Sequence, residues 1–79
     1  MQINNEIFDI ADHTSVGLLS VVAVELGMVF TPVQLTELVM KNKIDEREEI
    51  MKSFDTLIEK NLLLLKDDRY YVNSDYIMI

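Results

Sequence analysis

Seventy-nine residues suffice for one domain, residues 1–79, and are too few for two; with 49% of them hydrophobic, some apolar surface is expected to be left over for a partner. Fourteen acidic residues against seven basic ones set a net charge of −7 and a pI near 4.4, which works against nucleic acid and anionic membrane surfaces at long range. The absence of cysteine excludes disulfides and thiolate metal sites and fits a cytoplasmic protein.

Met1 to Glu6 lacks the basic and apolar regions of a signal peptide. Gln2 to Ile10 carries Ile3, Ile7, Phe8 and Ile10 without a clear period, so a short strand or an extended arm is expected there. A first helix is predicted from about Thr14 to Leu26, with Thr14 or Ser15 as N-cap and Gly27 as the left-handed residue that ends it. Its apolar residues, from Leu18 to Leu26, cover nearly the whole circumference, broken mainly by Ser20 and Glu25. Such a helix is buried on more than one side, which implies contact with another chain. The greasy stretch Val16 to Phe30 would reach only about 22 Å as a helix, short of the ~30 Å hydrocarbon core, so no membrane span is expected.

Thr31-Pro32-Val33-Gln34 opens a second helix: Thr31 caps, Pro32 takes the first helical position and Gln34 closes a capping box. Leu35, Leu38 and Val39 form its apolar stripe, and it stops near Lys41-Asn42. A third helix is predicted from Asp45 as N-cap with Glu48 in the capping position, burying Ile50, Phe54, Leu57 and Ile58, and ending at Asn61. Leu62 to Leu65 then reads as a strand, Lys66 to Arg69 as a turn and Tyr70 to Val72 as the returning strand. The tail Tyr76 to Ile79 is apolar to its last residue, and the five methionines read as core filler.

This order of elements resembles the winged helix-turn-helix family, most clearly over residues 31–73: the capped helix from Thr31 to Asn42, the segment Phe54 to Asn61, the apolar run Leu62 to Leu65 and the polar wing Lys66 to Val72. Asn5-Glu6-Ile7-Phe8-Asp9, followed by an apolar helix, is similar to the opening of phage-type replication-initiator and replisome-organiser domains. The resemblance implies an α+β, mainly α fold of three helices and a C-terminal β-hairpin, a phage or mobile-element setting, and DNA binding as the family's usual function. Two features depart from it. Asn61 stands where the family has glycine, and the first turns of the third helix carry Asp45, Glu46, Glu48 and Glu49, where DNA readers expose basic and amide side chains.

Two functional readings therefore compete. In the first, Glu46, Glu48, Glu49, Asp67 and Asp68 meet a protein with a basic surface, and Leu18, Val22 and Val24 on the first helix form a homodimer. The same carboxylates also have a purely local reading, since acids near a helix N-terminus complement its dipole. In the second, Arg47 and Lys52 enter a DNA groove while Lys43, Lys66 and Arg69 hold phosphates. Residues 1–40 hold five acids and no Lys or Arg, whereas residues 41–79 hold nine acids and seven bases, a net of −2, so a local basic patch has room only in the second half. His13, near Asp9 and Asp12, has no second His or Cys with which to build a transition-metal shell and reads as a surface residue. No phosphate loop, nucleophile motif or paired-carboxylate site appears, so no enzyme and no cofactor is expected.

Overall fold

A computed structural model describes residues 1–41 and 47–79, the side chain of Arg47 excepted. The fold is α+β. In chain order the described elements are β1 (Gln2–Ile3), α1 (Ile7–Ile10), α2 (His13–Leu26), β2 (Val29–Phe30), α3 (Pro32–Lys41), α4 (Arg47–Glu59), β3 (Leu63–Lys66), β4 (Arg69–Val72) and β5 (Ile77–Met78).

Local chemistry explains most of the boundaries. The cap of α2 is Asp12, not Thr14 or Ser15: its carboxylate accepts from the Ser15 amide at 3.1 Å and from the Ser15 hydroxyl at 2.7 Å. A carboxylate one residue ahead of the helix competes better for those donors than a hydroxyl inside the first turn. Gly27 ends the helix at φ 91°, ψ −173°, a positive-φ conformation suited to glycine but not the left-handed helical one expected. The capping box of α3 forms as read: the Thr31 hydroxyl accepts from the Gln34 amide at 3.2 Å, and the Gln34 side chain accepts from the Thr31 amide at 2.8 Å. Asp45, expected to cap the next helix, lies outside the described residues.

The end of α4 is a Schellman motif. Asn61 sits at φ 59°, its amide donates to the Ile58 carbonyl at 3.1 Å, and the Leu62 amide donates to the Leu57 carbonyl at 2.9 Å. The hairpin is closed by a two-residue loop, Asp67 at φ 53° and Asp68 at φ 60°, between the paired Lys66 and Arg69. Two positive φ values in succession mark a type I′ turn, whose twist matches that of the flanking strands.

β4 lies at the centre of a three-stranded antiparallel sheet ordered β2-β4-β3. β2 was not legible in the sequence, because two residues carry no period. A second small sheet joins the ends of the chain, with Ile3 opposite Ile77 in an antiparallel pair. The expected arm thus divides into a strand and the short helix α1, and the apolar tail supplies the strand's partner. Asn73 ties this tail to the body: its side chain donates to the Asn61 carbonyl at 2.8 Å, and its amide donates to the Leu62 carbonyl at 3.0 Å.

The core draws on α1 (Ile7), α2 (Val16, Leu19, Val22, Ala23), β2 (Phe30), α4 (Phe54, Leu57), Leu62 and strands β3, β4 and β5. The stripe of α3 is only half-buried. Three expectations are corrected. Val22, read as a self-association residue, is 1% exposed and belongs to the core. Ile58, read as part of the buried face of its helix, is 36% exposed. The methionines are not filler: Met1, Met40, Met51 and Met78 are all exposed, and only Met28 packs against the core.

Candidate interaction surface

Among the described residues, the acids and cations singled out in the sequence are divided between α4 and the β3–β4 hairpin. Glu48 and Glu49 are exposed on the first turn of α4, while Asp67 and Asp68 are exposed at the hairpin tip. Glu46 lies outside the described residues. The hairpin acids have a local cause, because the turn needs two residues that tolerate positive φ, and aspartate does so better than most side chains.

Side-chain alternation divides the hairpin cations from the helices. Tyr70 stacks on Phe30 at 5.3 Å and approaches Phe54 of α4 at 6.5 Å between ring centroids, which identifies the inner face of the sheet. Lys66 and Arg69, directly opposite each other in register, fall on the outer face with Leu64, Tyr71 and Val29. Lys52 is exposed on α4, Lys43 lies outside the described residues, and only the backbone of Arg47 is described.

On α2 the buried side is built by Ser15, Val16, Leu19, Val22 and Ala23, and Leu18 is half-buried. Val21 and Val24 share the exposed side with Gly17, at the i, i+4 and i+7 spacing of one helical stripe, and Val24 is 60% exposed. Of the three self-association residues read from the sequence, Val24 alone is fully on the surface. Val21, which was missed, stands beside it.

Sequence reading also missed a groove between α3 and α4. Its volume is about 380 Å³, and its walls include Val39 and Met40 of α3, Met51 and Ile58 of α4, and the more buried Phe54 and Tyr70. Met40 is 61% exposed and Met51 66%. On α4 the residues beyond the apolar wall are mostly acidic: Glu48, Asp55 and Glu59 stand at i, i+7 and i+11, with Lys52 at i+4 in the same stripe, all exposed. Glu37 is exposed on α3. A groove with apolar walls and carboxylates along its edge can hold an apolar side-chain row and attract cations beside it. The available signal was the spacing of Met51, Ile58 and Asp55, which a reading of one apolar face per helix passes over.

His13 stacks on Phe8 with ring centroids 4.9 Å apart. Among the described residues, no cluster of three or more His, Asp or Glu side chains is arranged to hold a metal ion. Hydrogen bonds from the Ser15 hydroxyl, and then from the Ser15 amide, hold the Asp12 carboxyl below its ordinary pKa. No described helix is long and apolar enough to cross a membrane. Comparison with protein-family models, curated protein sequences and solved structures finds no match to this chain.

Proposed function

We propose that this chain is a small acidic winged-helix domain that acts by binding another protein, as an adaptor or inhibitor. The order α2, β2, α3, α4, β3, β4 with the sheet arranged β2-β4-β3 supports the winged-helix part of the reading. In such a fold the third helix of the trihelical unit, here α4, is the element that enters a DNA groove.

One observation carries the preference for protein over DNA. Among the described side chains, α4 and the residue that follows it expose Glu48, Glu49, Asp55 and Glu59 against Lys52 and Lys60. Carboxylates aimed at phosphates lose more affinity than the two lysines restore, and the net charge of −7 repels the duplex before contact. The reading assigns the chain no reaction and no cofactor, a cytoplasmic location and a phage or mobile-element setting. It includes self-association through the exposed valines of α2.

Titration against a mixed-sequence DNA duplex at about 50 mM salt tests the proposal. No binding at protein concentrations up to about 100 μM is expected, a range that would reveal ordinary non-specific affinity. Micromolar affinity that falls steeply with added salt would overturn the protein-binding reading in favour of the DNA reading, with Arg47 and Lys52 in the groove and Lys43, Lys66 and Arg69 on phosphates.

A further inference from the structure

We infer that the α3–α4 groove is the docking site, and that its occupant is a basic amphipathic helix supplied by a different protein. This deepens the reading above and rests on it. Met51 and Ile58 lie seven residues apart on α4, about 10 Å along the helix axis. That distance matches two turns of an incoming helix with apolar anchors at i, i+3 or i+4, and i+7. Met40 faces them from α3, and the two exposed methionines are flexible, polarizable side chains able to mould to such anchors.

Charge decides between occupants. The groove is edged on α4 by three acids, Glu48, Asp55 and Glu59, against one base, Lys52, and Glu37 is exposed on α3, so a net negative edge favours cationic flanks on the incoming helix. A second copy of the chain does not meet that need. α2 contains one acid and no Lys or Arg, α3 contains one acid, Glu37, and one base, Lys41, and α4 is itself rich in carboxylates.

The probe is a fluorescein-labelled synthetic peptide of about 18 residues, with leucines at i, i+3, i+4 and i+7, lysines and arginines on both flanks and alanine elsewhere. Anisotropy at about 150 mM salt, where long-range attraction is largely screened, should give a Kd of about 50 μM or tighter. The double variant Met51→Ser, Ile58→Ser changes only exposed side chains and should bind at least about tenfold more weakly, roughly the loss expected for that much apolar area. The variant Asp55→Lys, Glu59→Lys should also lose about tenfold, yet bind a glutamate-flanked version of the peptide more tightly than the unaltered protein does. Glu6→Lys with Glu25→Lys, the same charge change away from the groove, should stay within about twofold.

Each contrary result overturns the inference: no binding up to about 200 μM, equal binding by the Met51→Ser, Ile58→Ser variant, or loss of a homodimer as the effect of that variant. A partner captured from the native host equally well by the unaltered protein and by this double variant would overturn the groove while leaving the protein-binding proposal standing. Duplex binding, tested separately, bears on that proposal alone.

Discussion

Asp12 caps α2 through two bonds to one residue, and both favour its ionised form. Because the folded-state pKa lies below the unfolded one, the unfolded chain takes up the proton first as the pH falls. The stabilisation is complete above the ordinary aspartate range and is lost on acidification below about pH 4. Asparagine keeps the capping geometry without the charge. Asp12→Asn should therefore melt below the unaltered protein at pH 7, with the gap narrowing toward pH 3. Thermal unfolding followed by circular dichroism at both pH values checks this, and a gap of constant size would show that the charge contributes nothing. Neighbouring Ser15 illustrates how closely polar groups are accounted for: it is buried, and its hydroxyl spends its proton on Asp12. No buried side-chain nitrogen or oxygen among the described residues lacks a partner.

At the level of elements, the hairpin joins a favourable turn geometry to an unfavourable turn sequence. Asp67 and Asp68 adopt positive φ where Asn-Gly would do so with less strain, and Lys66 faces Arg69 across the strands at the same end. Replacing Asp67 by Asn and Asp68 by Gly should stabilise the protein by about 1 kcal/mol, or raise Tm by about 4–8 °C at this chain length. Differential scanning calorimetry gives the answer directly. An unchanged or lowered Tm would mean that the two aspartates relieve the repulsion between Lys66 and Arg69 by more than their backbone strain costs. The variant also separates two readings of the tip, because binding of a basic helix in the α3–α4 groove should survive it unchanged.

At the scale of the molecule, the apolar excess read from composition goes, among the described residues, into a core, a groove, an uncovered valine stripe on α2 and exposed residues of the sheet such as Val29, Leu64 and Leu65. The proposed homodimer needs Val21 and Val24, not Val22. Light scattering over a dilution series should show a dimer at high concentration that Val24→Asp converts to monomer. Val22→Ala should instead cost about 2 kcal/mol of stability, as expected for a truncated core valine, and leave association alone. A monomer at every concentration would remove the α2 interface.

What the sequence determined by itself was local: the Thr31 capping box, the Asn61 helix stop, the Asp-Asp turn and the charge balance of each helix. These depend on neighbours a few residues away, whose backbone hydrogen bonds and φ preferences are intrinsic to the residue types. The Asp12 cap is equally local, a carboxylate one residue ahead of the helix competing with the Thr14 and Ser15 hydroxyls for the same amides. Tertiary structure alone decided which side of the uniformly apolar α2 faces the core, why Ile58 is left at a groove edge while Leu57 is buried, and that β2 pairs with β4. A periodic pattern names a face of a helix, but only the positions of the other elements say whether that face is covered. Two-residue strands exist only through the partner that supplies their hydrogen bonds.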